Sequence, residues 1–197
     1  MDGSKEEIAA TAARIVVEEG LEFGPAKRRA IKQLGLGART ALPDNGAVLE
    51  QVHEYIALFC SDTQPIELLA LRTLALQWMQ RLQRFRPYLS GAVWNGTATR
   101  RSDIALQLFC DDPKSAEIEL IDLGVRFDTH VVTGLHGQPV EALSIQVACP
   151  QLKEYVGLHL MVYDKDDLRG ALIPDAQGRR LRGDTAALER LVHDPDL

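Results

Sequence analysis

The chain of 197 residues has the length of one ordinary domain, or of a small domain with a helical extension, and its 46% of hydrophobic residues is enough for a sizeable core. Acidic residues outnumber basic ones by 28 to 22, and the net charge of -6 argues against bulk nucleic-acid binding. No stretch approaches 18 consecutive apolar residues and the N-terminus is too acidic for a secretory signal, so we expect a soluble, cytoplasmic protein with no membrane partner.

The first half of the chain reads as helical. Ser4 and Glu7 have the spacing of a capping box, which predicts a helix from about Lys5 to Glu19 that Gly20 ends. Three more helices follow from apolar residues at helical spacing and from capping residues, at residues 26–34, 48–60 and 66–85. We therefore expect a helical region over residues 1–86.

The first 35 residues resemble the opening helices of a TetR-type DNA-binding domain. The second predicted helix is basic, with Lys27, Arg28, Arg29 and Lys32. A recognition helix should follow the turn, but residues 35–46 read as a loop because they hold four residues that oppose a helix: Gly37, Pro43, Asn45 and Gly46. Two interpretations stay open for the basic helix: a solvated face, or the DNA contact of a TetR-like regulator.

A segment of small residues precedes the first predicted strand, which covers residues 104–110. Six of its residues are candidates for binding an anion: Gly91, Gly96, Thr97, Arg100, Arg101 and Ser102. Small residues let backbone N–H groups approach a phosphate, and the two arginines could offset its charge. Asp103 follows directly, at the start of the strand.

This segment resembles the signature of the polymerase-β-like nucleotidyltransferases, a Gly-Ser loop followed by Ser-Asp-x-Asp at the start of a strand. The resemblance covers roughly residues 85 to 165. It implies that the six loop residues hold a nucleoside triphosphate and that Asp103 binds magnesium during nucleotidyl transfer. Two positions depart from the signature: Ala92 replaces the phosphate-binding serine, and Ala105 replaces the second aspartate, so a two-metal site would be crippled.

The rest of the chain alternates helices and strands. We predict a helix at residues 112–123, strands at 125–133, 140–147 and 155–163, and a short last helix at 186–192. In the resembling family a third carboxylate comes from a later strand, which makes Glu141 the candidate catalytic and magnesium-binding partner of Asp103; a surface glutamate is the alternative. His159 is interpreted as a structural residue.

The predicted fold is therefore α+β and nucleotidyltransferase-like: an N-terminal helical region, then a mixed β-sheet of about four strands with flanking helices over residues 87–197. Three functions remain open: a magnesium-dependent nucleotidyltransferase, a catalytically degenerate module that binds a nucleotide or a protein, and a TetR-like regulator. The whole chain also resembles short bacterial proteins that often carry the name of a muramate-alanine ligase, but the ATP-binding phosphate loop that such a ligase needs is absent from the sequence.

Overall fold

A computed structural model describes residues 3–194, and over this range the chain forms a mixed α+β fold with eight α-helices and six strands. In chain order these are α1 (Gly3–Glu19), α2 (Phe23–Gln33), α3 (Asn45–Phe59), α4 (Gln64–Arg81), β1 (Tyr88–Ser90), α5 (Gly91–Asn95), β2 (Ile104–Cys110), α6 (Lys114–Asp122), β3 (Asp128–Thr133), β4 (Pro139–Cys149), β5 (Glu154–Asp164), α7 (Leu168–Ala171), β6 (Arg182–Gly183) and α8 (Thr185–His193). None of the helices within residues 3–194 is long and apolar enough to cross a membrane.

The chain divides into two compact units. The first contains the chain through Leu68 together with Thr97–Ser102, and the second contains Leu69–Gly96 and the chain from Asp103 onward. The division falls inside α4, whose first turn belongs to the first unit. The sequence-based division at residue 86 instead follows the change from helices to strands.

The first unit has its core between α1, α2 and α3. Helix α1 buries alanine and β-branched residues on one face, and the small alanines let the neighbouring helices approach closely. The core cluster that the three helices form includes these buried residues: Ile8, Ala12, Ile15, Ala26, Ala30, Val48 and Val52. Asp44 caps α3 by accepting a hydrogen bond from the N–H of Ala47 at 2.8 Å.

The basic helix α2 is not a free solvated face. Lys27 is buried, and its ammonium group donates to the carbonyl of Pro43 at 3.1 Å and to Oδ1 of Asn45 at 2.8 Å. Arg29 forms an ion pair with Glu19 at 2.7 Å. As predicted, no helix forms between α2 and α3. Half of the basic cluster thus has structural partners, and the recognition helix of a TetR-type domain has no counterpart at its expected place.

The second unit is built on a six-stranded sheet with the order β3-β4-β5-β2-β1-β6. All neighbouring strands are antiparallel except β2 and β5, which are parallel. Residues on the two faces differ in burial because side chains alternate along each strand. One face carries fully buried aliphatic residues: Leu106, Leu108, Leu143, Leu158 and Leu160.

The opposite face, which we call the polar face, carries one row of residues across all six strands. The pairing register puts them side by side in the order Arg182, Ser90, Ala105, His159, Ser144 and Asp128. Five of these six side chains are polar, including three of the four on the inner strands: Ser90, His159 and Ser144. Polar side chains on inner strands are unusual, and they make this face a candidate functional site.

Most of the predicted elements are confirmed. The four N-terminal helices, β2, α6, β4, β5 and the capped helix α8 are present, with boundaries shifted by a few residues. Strand β3 begins at Asp128, three residues later than predicted. The sequence-based prediction missed β1, α5 and β6, so the sheet has six strands where about four were expected.

Candidate functional site

The segment around Gly91 forms a sharp corner between β1 and α5. Ser90 pairs with Ala105 of β2, and the chain then turns at Gly91, whose φ of +70° is accessible to glycine at little cost. A Cβ atom at Gly91 would lie 3.9 Å from Cβ of Ala105. The corner and the head of β2 are therefore direct neighbours, as the nucleotidyltransferase signature requires.

The buried side chain of Arg72 stabilises this corner through hydrogen bonds. Nε of Arg72 donates to the carbonyl of Val93 at 3.1 Å, and its Nη2 donates to the carbonyl of Trp94 at 3.3 Å. Both carbonyls belong to the short helix α5, which ends at Gly96 with φ +86°. Burial lowers the pKa of Arg72 from its usual value. Since the guanidinium remains charged at any physiological pH, it acts as a permanent clamp on α5.

The indole of Trp94 fastens α5 to the edge of the sheet. Its Nε1–H donates to the carbonyl of Arg180 at 2.7 Å. The ring also lies against Gly183 of β6, where a Cβ atom would come within 2.1 Å of it. A side chain at this position would thus collide with the ring, and α5 is held both through its carbonyls and through the indole of Trp94.

Asp103 presents a carboxylate at the head of β2. Its side chain is 56% exposed, and Oδ2 lies 3.0 Å from Nε2 of His159. The carboxylate rests on Gly157, where a Cβ atom would lie 2.5 Å from Oδ1. The pKa of Asp103 is lowered, first by the hydrogen bond from His159 and also by one from the N–H of Gly157, against the opposing effect of partial burial. Asp103 is thus an accessible anion at neutral pH.

His159 connects Asp103 to a hydroxyl group. Its Nδ1 lies 2.6 Å from Oγ of Ser144, its neighbour in the row on the polar face. Because an ionised carboxylate can only accept, the proton belongs on Nε2, and Nδ1 then accepts from the Ser144 hydroxyl. This Ser-His-Asp chain can take up a proton from a hydroxyl and stabilise the resulting imidazolium. The sequence-based interpretation of His159 as purely structural missed this arrangement.

The predicted phosphate-binding residues are divided between the two units. Gly91 and Gly96 lie in the second unit together with Asp103, whereas Thr97, Arg100, Arg101 and Ser102 lie in the first. Thr97 and Ser102 are buried, and Oγ of Ser102 accepts from the N–H of Thr99 at 3.0 Å. Both side chains are thus little exposed, and their part in phosphate binding stays a prediction.

Arg100 and Arg101 remain exposed in the first unit. The backbone N–H of Arg100 donates to Oε2 of Glu67 at 2.9 Å, which fixes the course of the chain there.

Glu141 does not lie beside Asp103. It is three residues from Ser144 on β4, and since side chains alternate between faces, it projects from the face opposite to the polar one. Its carboxylate lies 3.8 Å from Nζ of Lys114 and also contacts Glu117. Within residues 3–194, no three His, Cys, Asp or Glu side chains are grouped so that they could hold a metal ion. The structure therefore does not bring Asp103 and Glu141 together, and a magnesium site shared by the two stays a prediction.

Sequence comparisons give no match for this chain. No protein-family profile matches it, and no curated protein has a matching sequence. Among solved structures it is similar to the poly(U) polymerase Cid1 bound to MgGTP, with 14% identity and a TM-score of 0.34 over 48% of this chain and 32% of that one. The complex of Cid1 with the UTP analogue UMPNPP has 14% identity and a TM-score of 0.36, over 56% and 36% of the two chains. The chain thus spans about a third of these structures, and the likeness is too low to support an argument about function.

Proposed function

We propose that this protein is a nucleotidyltransferase-like module that binds a nucleoside triphosphate at the corner formed by Gly91 and Asp103. The observation that supports this best is the position of Asp103, an ionised and accessible carboxylate at the head of β2, on the strand that pairs with the corner. The spacing of Gly91 and Asp103 in the sequence also matches the nucleotidyltransferase signature. The proposal rests on residues of the second unit alone.

The residues present suit a magnesium ion that is shared with the ligand. Mg²⁺ often takes one or two protein carboxylates and fills its other positions with water and substrate phosphates, and Asp103 supplies one such carboxylate. When bound, the ion would neutralise phosphate charge. Ala92 and Ala105 offer no further oxygen, so the corner provides for ligand binding better than for two-metal catalysis.

The proposal is tested by isothermal titration calorimetry of the whole protein with ATP and GTP in the presence of magnesium. We expect saturable binding that requires the metal and is weakened at least about tenfold by Asp103→Asn, the loss that one charge-assisted contact predicts. Asp122→Asn, at the exposed end of α6, is the matched control and should bind as the wild type does. Heats that are absent with both nucleotides, or unchanged in Asp103→Asn, would refute the proposal.

The Ser-His-Asp chain favours a second candidate, nucleotidyl transfer to a hydroxyl acceptor. In such a reaction the acceptor oxygen bonds to the α-phosphorus and pyrophosphate leaves. The acceptor proton goes to Oγ of Ser144, which passes its own proton to Nδ1 of His159, and Asp103 stabilises the imidazolium. Incubation with α-labelled nucleotide and a mixture of hydroxyl acceptors should then yield a labelled product and pyrophosphate. His159→Asn should abolish the labelled product while retaining nucleotide binding, which separates this candidate from simple binding.

A further inference from the structure

Strand β4 has an outer edge that is only half covered. Its neighbour β3 pairs with residues Pro139–Ser144, but β4 continues to Cys149 and stays paired with β5 along its inner edge. The chain that leads into β3, residues 125–127, has no strand pairing with β4. Successive residues of an antiparallel strand direct their N–H and C=O toward opposite neighbours. Two of the four residues 145–148 therefore direct these groups outward, where there is no strand to pair with, and the other two face β5.

A cavity lies along this uncovered edge, and we call the cavity and the edge together the edge notch. Its volume is about 920 Å³. Helix α4 forms one wall with Leu74, Trp78 and Arg81, and the remaining lining includes Arg126, Tyr155 and the β4 residues themselves. The notch therefore combines unpaired backbone groups, aromatic surface and positive charge within the second unit.

The two arginines of the edge notch have no carboxylate partner. None of the ion pairs formed by residues 3–194 includes Arg81 or Arg126, and both side chains are exposed. The guanidinium of Arg81 stacks over the ring of Trp78 at 5.1 Å from its centroid, which holds it in place. The lining contains one carboxylate, that of Asp128, so the notch carries a surplus of positive charge in a protein whose net charge is -6.

We propose that the edge notch binds an extended, acidic peptide segment of another protein, which adds to the sheet as a strand beside residues 145–148 of β4. The unpaired N–H and C=O groups require a ligand that offers the same alternating groups, and an extended peptide backbone does so. Arg81 and Arg126 select acidic side chains, and the exposed ring of Tyr155 offers apolar surface to the residues between them.

The charges of the notch disfavour two other occupants. A second copy of this chain, paired edge to edge about a two-fold axis, would bring four arginines together with only the two Asp128 carboxylates between them. A single-stranded nucleic acid would satisfy the arginines and stack on the exposed ring of Tyr155, but it has no backbone amides to pair with β4. The acidic peptide is the occupant that matches both the charge and the hydrogen-bonding groups.

The test uses fluorescence anisotropy of a labelled peptide, Thr-Val-Glu-Val-Glu-Val-Thr, with the full-length protein. We expect saturable binding that the lysine analogue, Thr-Val-Lys-Val-Lys-Val-Thr, does not reproduce. The double substitution Arg81→Glu with Arg126→Glu should weaken binding at least about tenfold. The control, Arg169→Glu with Arg190→Glu, makes the same change in net charge at exposed positions outside the notch and should leave binding unchanged.

Strand addition is distinguished from simple charge attraction by methylating peptide nitrogens. N-methylation of one alternate set of residues should abolish binding, because it removes the N–H groups that face β4, while methylation of the other set should have little effect.

The proposal is overturned if the acidic peptide fails to saturate the protein at millimolar concentration, if both methylated peptides bind equally well, or if the control double variant loses as much affinity as the notch variant. It is also overturned if labelled oligothymidylate binds the notch and the peptide does not, or if light scattering shows a dimer that the notch variant breaks. None of these results depends on nucleotide binding at Asp103.

Discussion

Replacing Arg72 by methionine removes the clamp on α5 while retaining a long apolar side chain on α4. Two hydrogen bonds from a charged donor are lost, to the carbonyls of Val93 and Trp94. Each such bond contributes about 1.5–3 kcal/mol. Methionine also avoids the free-energy cost of burying a charged guanidinium, which offsets part of this loss. We expect the free energy of unfolding to fall by about 3 kcal/mol, which is large against the stability of an ordinary domain.

Urea unfolding followed by tryptophan fluorescence measures this loss, because Trp78 and Trp94 both lie in the second unit. Arg81→Met is the matched control: it makes the same chemical change on the same helix at an exposed position, and should cost no more than the cation-π contact with Trp78, about 0.5–1 kcal/mol. A clamped corner should also bind nucleotide better than a loose one, so Arg72→Met should weaken MgATP binding. If both variants unfold at the same urea concentration, Arg72 is not the support of α5.

Three further predictions follow from close contacts and from one raised pKa. Gly183→Ala puts a methyl group 2.1 Å from the ring of Trp94. This substitution should lower the free energy of unfolding, measured in urea titrations, by about 1–3 kcal/mol. A stability equal to that of the wild type would show that the ring moves aside without cost. Gly157→Ala displaces the exposed carboxylate of Asp103, because the new Cβ atom would lie 2.5 Å from Oδ1. Calorimetry should then show weaker MgATP binding with little change in melting temperature. Unchanged MgATP binding with a lowered melting temperature would contradict the proposed site. A hydrogen bond to a glutamate raises the pKa of Tyr55 from 10.0 to about 12. The stability advantage of the wild type over Tyr55→Phe should therefore be full below pH 10 and lost as the pH rises toward 12. Circular dichroism in urea measures this advantage, and an advantage that grows between pH 10 and 12 would refute the assignment.

The helices of the first unit were predictable because their signals are local. The capping residue Asp44, the terminating Gly20 and the apolar spacing of α1 each act within a few residues of the element they define. The burial of Lys27 was not predictable in this way. Its partners, Pro43 and Asn45, come from the following loop, and a basic helix gives no indication of which cation will fold inward.

The short elements around the corner were missed for the opposite reason. Strands β1 and β6 have three and two residues, too few to show an alternating pattern. Helix α5 has five residues, and its stability depends on Arg72, about twenty residues earlier in the chain. Tertiary contacts define these elements, so the sequence around Gly91 reads as a plain loop.

The head of β2 was located correctly, but its neighbours were not. The spacing from Gly91 to Asp103 indicated the corner, whereas the partner of Asp103 depends on the parallel register of β2 and β5, which puts His159 beside Ala105. Glu141 was chosen by analogy with a later strand of the resembling family. A register shifted by one residue reverses every side chain of a strand, and no feature of the sequence around Glu141 determines its face.

The most direct test of nucleotide binding at the corner is a ¹H–¹⁵N correlation spectrum of the labelled protein, titrated with MgATP. The account predicts that the amide signals of Gly91, Asp103 and Gly157 shift most and saturate together, and that these shifts disappear in Asp103→Asn. Saturable shifts confined to other parts of the second unit, or a spectrum that does not change with MgATP, would contradict it.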